Sequence, residues 1–479
     1  MDIETGSPCE LAIHGHFYQP PREDPCTGRM PREVSAAPYA NWNERITAEC
    51  YEPNLRAGTF ERISFNLGGT LAHWLDDHAH ETYKGIVAAE RAYRKANGVG
   101  NGLAQSVHHT ILPLARRRDK ICQVRWGIAS FEHRFGHRPA GMWLPEMAVD
   151  YETLQVLASE GIRFTILSRE QVYGDLDARG GPYAVLLPDG AQIAVFVRDR
   201  HLSNHLSFGM PDSGHVDEWL EQHVAWRCQT DGLHVVATDG ETFGHHHRQG
   251  VEVLKQILTG GERYGYQVVT LDLYLQQHAP KSQISIVENT AWSCAHGLRR
   301  WLVGCDCTPG DSRWKGAFRR ALDNLACDLD HIYSSEAQRV GFDPWPLRDR
   351  YIDVVMGKIP GKEFLNGNGL GHLTTDDTER LLLLLQAQFH RQRMYLSCTF
   401  FFGKMDRNEP RYAVANAVRA LTLTRDATGN DLSHGFRRDL SGAVSPRTSL
   451  TGADIFSEIV SEAELPVEAQ PPVCSRPQL

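Results

Sequence analysis

Leu233-His234-Val235-Val236-Ala237-Thr238-Asp239-Gly240-Glu241-Thr242-Phe243-Gly244-His245 passes from a short apolar run into an acidic, glycine-punctuated turn, with three consecutive histidines from His245 onward. The adjacent valines in a short apolar segment predict a buried strand. Two carboxylates, a glycine and an aromatic at a strand's C-terminal end are what an α/β active site uses. An isolated Asp-Gly is more commonly a plain solvated turn. A second stretch, Gly141-Met142-Trp143-Leu144-Pro145-Glu146, shifts the balance. Proline cannot donate to a sheet ladder, so this strand should stop there and present Glu146 at the sheet's edge.

Working toward the N-terminus, Leu11-Ala12-Ile13-His14-Gly15-His16-Phe17-Tyr18-Gln19-Pro20-Pro21 predicts a first strand closed by a proline-stopped loop. His14 and His16 are two apart and therefore share a face. Arg22–Tyr51 reads as a long functional loop. A second strand is expected over Arg62–Asn66, then a long helix over Thr70–Ala96, and a short helix over Ile128–Phe135. Arg116-Arg117-Arg118 reads as a solvated helix face. After a helix over Tyr151–Glu160, strands are expected at Arg163–Leu167, Tyr183–Leu187 and Gln192–Val197. Trp143 offers a flat apolar surface of the kind sugar rings prefer, while His201 and His205 read as structural or wall residues. The alternation predicts an α/β protein with a mostly parallel sheet or barrel.

The chain has 479 residues, 41% hydrophobic and 23% charged, which predicts a large core and two domains. A net charge of −9 argues against nucleic acid or an anionic membrane as main partner. With no apolar run of spanning length and no leader-like start, a soluble cytoplasmic protein is expected. Eleven cysteines at scattered spacings fit reduced thiols better than a disulfide framework.

Ile13-His14-Gly15-His16 with Gln19-Pro20, Trp143-Leu144-Pro145-Glu146 and Thr238–His245 resemble the signature regions of family 57 glycoside hydrolases. The resemblance covers about residues 8–280. It implies an incomplete (β/α)7 barrel acting on α-glucans with retention, needing no metal or other cofactor. By motif position it implies Glu146 as nucleophile and Asp239 as acid/base. His14, His16 and Glu241 fall where the family contacts sugar, and Gln19 joins them. The family's compact His-Gln-Pro is stretched here by Phe17-Tyr18. His109 is a weaker match to another signature region; His245 is expected to face the site, and Trp292, just past the barrel, to fold back over the cleft.

The residues agree with that chemistry. Retaining cleavage needs one carboxylate to attack carbon and another to protonate the leaving oxygen, about 5–5.5 Å apart. Glu241 beside Asp239 would help keep one of them protonated, and Gly240 would let the turn bring both acids to one cavity. Hydrolysis and glycosyl transfer share the covalent intermediate, and the residues do not separate them. Two other classes fit parts of the pattern: a metal-dependent carbohydrate deacetylase using His14 and His16, and a non-catalytic glycan-binding protein.

Residues 1–282 are thus expected to form the barrel and 283–461 a mainly helical domain. The latter resembles the uncharacterised helical region of one family 57 subgroup. Trp314, Phe318, Leu322, Leu325 and Leu329 make its clearest apolar stripe. An acidic, proline-rich tail over 462–479 is expected to be disordered. Cys294, His296, Cys305 and Cys307 invite a zinc reading, but without a Cys-x-x-Cys pair free thiols are expected. The expected partner is an oligosaccharide or polysaccharide; oligomeric state is not legible.

Overall fold

In a computed structural model describing residues 9–176, 180–229 and 232–464, the strand Cys9–Phe17 (β1) is buried along its whole length. It is the hub of a parallel ladder. Ser64–Leu67 (β2) lies along its C-terminal half, then Gly102–Gln105 (β3) and Met142–Trp143 (β4). A single parallel bridge, Gly141 to Phe164, leads on to Phe164–Ser168 (β5), which pairs with Gln192–Arg198 (β6). On the other side β1 pairs over eight residues with Gly232–Asp239 (β7), in a register that sets His16 opposite Asp239. From the end of β6, Asp199 N donates to Val235 O of β7 at 2.7 Å. Most of these parallel strands are joined by helices, while β5 reaches β6 through Tyr183–Leu186, which runs antiparallel to β6; the result is an α/β fold of the incomplete-barrel kind.

Strands buried on both faces read as near-continuous apolar runs, and β1, β5 and β7 do. The tight alternation of Gly15 and Gly240 around Phe17 has a packing cause. A Cβ on Gly240 would stand 2.3 Å from Phe17 Cδ1. The turn Gly240–Thr242 is an ordinary 3-10 turn, so Gly240 supplies room for a ring, not the backbone freedom expected of it.

The expected elements recur with instructive differences. The helix expected over Thr70–Ala96 is two helices, Gly69–His78 and His80–Asn97, broken where Ala79 leaves helical geometry. Arg22–Tyr51 is not all loop: Trp42–Ile46 opens a helical stretch capped by the Asn41 side chain. The strand expected over Gly141–Glu146 narrows to two residues before a turn. Cysteine spacing predicts thiols throughout, yet Cys9 and Cys228 form a disulfide. Spacing hides this pair because 219 residues separate its members. The ladder that pairs Cys9 with Gly232 is what brings them together.

The chain divides into two compact units drawn from several stretches rather than by one cut after residue 282. The first comprises the stretch to Gln19, Arg32–Ser106 and Ser130–Trp292; the second comprises Pro20–Pro31, Val107–Ala129 and Ser293 onward. The second unit is helical, built on Lys315–Arg339, Thr375–Arg393 and Asn408–Thr428. Its stripe of Trp314, Phe318, Leu322, Leu325 and Leu329 is fully buried. Arg116 and Arg118 are not merely solvated, since both reach Asp330, a buried carboxylate that Arg391 also holds at 2.8 Å. Helix Gly452–Glu464 takes in the first three residues of the expected tail; the remainder lies outside the described residues. No described helix is long and apolar enough to cross a membrane.

Candidate active site

The C-terminal ends of the parallel strands carry the polar residues of the first unit, as α/β barrels require. His14 and His16 point to the same side, as their spacing predicts, and share one amide. His14 Nε2 donates to Asn66 Oδ1 at 3.0 Å, while Asn66 Nδ2 donates to His16 Nδ1 at 2.9 Å and to Gln105 Oε1 at 2.7 Å. Burial pushes both imidazoles down to about 3, so both are neutral at pH 7. Trp143 stacks on His14 and His16 at ring separations of 5.0 and 4.7 Å. Trp143 is 0% exposed, its ring packed against both imidazoles rather than presented as an open surface.

Glu146 stands just beyond β4 in a left-handed conformation, φ 58° and ψ 20°, a region that costs a non-glycine residue energy and recurs at functional sites. The strain is held from both ends. Trp292 N donates to Glu146 O at 3.1 Å, and the Trp292 indole Nε1 donates to Glu146 Oε2 at 3.1 Å. Gln171 Nε2 fastens Met147 O at 2.7 Å. Trp292 meets Trp143 edge-on at 5.3 Å and remains part-exposed. It is therefore the indole with an accessible surface.

Asp239 ends β7. Burial, then the neighbouring charges of Glu241 and Glu146, push its carboxyl up to about 8, against the opposing pull of Arg198. Glu241 is pushed up to about 7, mainly by burial, although it is well bonded: Tyr51 OH donates to its Oε1 at 2.6 Å, Tyr18 N at 3.3 Å and Gln19 Nε2 at 3.4 Å. Phe17-Tyr18, the stretch inserted before Gln19, thus leaves Gln19 against Glu241. Phe17 turns inward and Tyr18 lies against His16, their rings 6.0 Å apart.

The first unit therefore brings together His14, His16, Gln19, Trp143, Glu146, Asp239, Glu241 and Trp292. His245 stands one step back, its Nδ1 2.6 Å from Glu49 Oε2. His109 falls in the second unit, where its Nδ1 lies 2.6 Å from Ser397 Oγ. Asn66, Gln105, Tyr51 and Arg198 were not singled out in the sequence. Arg198 closes β6, bonds Ser168 Oγ at 2.6 Å and lies over the Trp292 ring at 5.1 Å. Gln105 and Arg198 each end a barrel strand and Asn66 is the last residue but one of β2, so a polar residue at the end of an apolar strand was the available signal. The site can hold one carboxyl protonated beside other acids, next to an aromatic surface and neutral hydrogen-bonding groups. That is acid–base and nucleophilic equipment.

Residues 33–287 match the sequence profile of Glycosyl hydrolase family 57, and residues 311–469 match that of a Domain of unknown function (DUF3536). The chain is 23% identical to Alpha-amylase 1 of Dictyoglomus thermophilum over 38% of this chain and 26% of that protein. It is 23% identical to a 1,4-alpha-glucan branching enzyme of Thermococcus kodakarensis over 42% of this chain and 41% of that protein. These matches span well under half of either relative. Among solved structures, an exo-type maltose-forming amylase from Pyrococcus sp. ST04 superposes with a TM-score of 0.71 at 15% identity, over 95% of this chain and 88% of that one. At that identity the likeness is one of fold.

Proposed function

The chain belongs to glycosyl hydrolase family 57, and on that footing we propose that it cleaves or transfers glycosyl units of an α-glucan with retention, through a covalent intermediate. Glu146 attacks the anomeric carbon and Asp239 protonates the leaving oxygen, then deprotonates the incoming acceptor. The observation that carries this reading is the pairing of two carboxyls from different strand ends. Glu146 is oriented by the Trp292 indole, and half-buried Asp239 has its carboxyl raised beside Glu241 so that it stays protonated near neutrality. Neutral His16, over His14 and Asn66, fits a sugar hydroxyl, and the accessible Trp292 fits a sugar ring. His14 and His16 turn to an amide rather than to a carboxylate set, which weighs against the deacetylase alternative. A cytoplasmic setting belongs to the same reading, supported by eight free thiols among the described cysteines alongside the one disulfide.

The test is a product profile over α- and β-linked glucans and maltooligosaccharides, with the anomeric proton followed by NMR. Retained α-products from α-glucans are expected. Lengthened or branched products would place the enzyme on the transfer side, because acceptor and water compete for the same intermediate. Inverted products, or binding of α-glucans without turnover, would overturn the reading.

A further inference from the structure

We propose that Cys294, His296, Cys305 and Cys307 of the second unit hold one structural zinc ion. Their sequence spacing lacks the Cys-x-x-Cys pair that usually marks such a site. The fold supplies by geometry what the spacing does not. Gly297 and Gly304, both left-handed with φ of 70° and 90°, bracket the short helix Arg299–Leu302. They turn the chain so that the pair Cys294/His296 meets the pair Cys305/Cys307.

All four ligand atoms lie within 4.8 Å of one another. Cys294 Sγ is 3.5 Å from Cys305 Sγ and 3.9 Å from Cys307 Sγ, and His296 Nδ1 is 3.2 Å from Cys307 Sγ. A tetrahedral zinc with Zn–S of about 2.3 Å and Zn–N of about 2.0–2.1 Å needs sulfurs about 3.8 Å apart and sulfur–nitrogen pairs about 3.5 Å apart. These three separations lie within about 0.3 Å of the corresponding edges of that tetrahedron. A disulfide would bring two sulfurs to about 2.0 Å and leave the third thiol and the imidazole without purpose. In an iron–sulfur cluster no iron takes more than two of the protein ligands, so four ligand atoms do not crowd around one point.

Charge is a second, independent observation. Zinc taken up by three thiols and a neutral imidazole releases three protons and leaves a centre of net charge −1. Lys315 is fully buried, and its Nζ has no hydrogen-bond partner among the described residues. An unpaired buried ammonium is costly unless an anion faces it. The groups it interacts with electrostatically are Cys294 and Cys305, besides the like-charged Arg300. Buried Arg300 in turn donates to Ser293 O at 2.6 Å and Cys307 O at 3.3 Å. An anionic zinc–thiolate centre would give the buried cations Lys315 and Arg300 their counter-charge. Four protein ligands leave no open position, so the ion is structural and not catalytic.

The test uses the full chain without a polyhistidine tag, expressed with zinc, purified anaerobically and passed over a chelating resin. Elemental analysis should find one zinc per chain, released by a mercurial reagent that caps thiols. Cys294→Ser and Cys307→Ser should each lose it. His201→Ala/His205→Ala, which alters the other metal-capable cluster, His201/His205/His223, should keep it. Should the cysteine variants misfold, cobalt exchange into the wild-type chain still decides, since tetrahedral thiolate cobalt gives intense visible bands. Absence of zinc, iron in its place, a mapped Cys294–Cys305 disulfide, or zinc lost with the histidine variant would overturn the proposal.

Discussion

The Trp292 indole Nε1 donates to Glu146 Oε2 at 3.1 Å, and its backbone N donates to the Glu146 carbonyl at the same distance. One residue thus holds both the left-handed backbone and the carboxylate of the proposed nucleophile. A hydrogen bond to a charged group contributes about 1.5–3 kcal/mol. Trp292→Phe keeps the ring and the backbone bond and removes only the indole donor. It should lower kcat by about tenfold to a hundredfold, the equivalent of that bond, with a smaller change in KM. If KM rises and kcat is unchanged, Trp292 is a sugar platform and does not orient Glu146.

Asp239 sets the alkaline side of the pH profile. Its carboxyl is raised to about 8 and that of Glu241 to about 7, both chiefly by burial. Protonated Asp239 is the general acid, so kcat/KM should fall as pH rises through this range. The limb belongs to the coupled pair. Asp239→Asn should abolish it and should spare substrates with good leaving groups.

The same shift makes a stability prediction of determinate sign. A carboxyl raised in the folded state binds a proton that the unfolded chain has already lost above about pH 4, so folding stability falls from there up to about pH 8. Asn at 239 cannot lose a proton. Relative to wild type, the melting midpoint of Asp239→Asn should therefore rise between pH 5 and pH 8. A pH-independent difference between the two proteins would show that Asp239 is ionised in the fold.

The motif residues were legible because their chemistry is local. His14 and His16 share a face by strand periodicity, and Asp239 and Glu241 share a turn. Tyr51, Asn66, Gln105 and Arg198 were not, because what makes them functional is non-local: Tyr51 bonds a carboxylate 190 positions away. The same limit hid the Cys9–Cys228 disulfide. Trp143 was legible as an aromatic beside a carboxylate, but no sequence reveals which face a neighbour covers, and both histidines lie against it. Glu146 shows the converse: Pro145 marks where the strand stops, while the left-handed turn depends on the bond from Trp292.

Gly240 should fail on substitution for reasons of space. An added methyl would sit 2.3 Å from Phe17 Cδ1, and Phe17 is itself wedged against Tyr51 and Phe60. Gly240→Ala should cost about 1–3 kcal/mol in urea unfolding, as overpacking does. Phe17→Leu should relieve part of that cost, so the double variant is less destabilised than the sum of the two singles. Strict additivity would mean that the ring is not what the methyl meets.

Azide separates the two proposed carboxyl roles by stereochemistry. Glu146→Ala should lose turnover because no glycosyl-enzyme forms. Azide can then enter from the face the carboxylate left, displacing the leaving group in one step, so an α-linked substrate should give the β-glycosyl azide. Asp239→Ala leaves Glu146 able to form the intermediate from a substrate with a good leaving group. Azide then attacks in the second displacement, and the product should be the α-glycosyl azide. Both outcomes require carboxyl groups about 5–5.5 Å apart across one bond. If the products are exchanged between the two variants, the roles of Glu146 and Asp239 are exchanged too. If azide restores neither, the two acids do not flank a scissile bond.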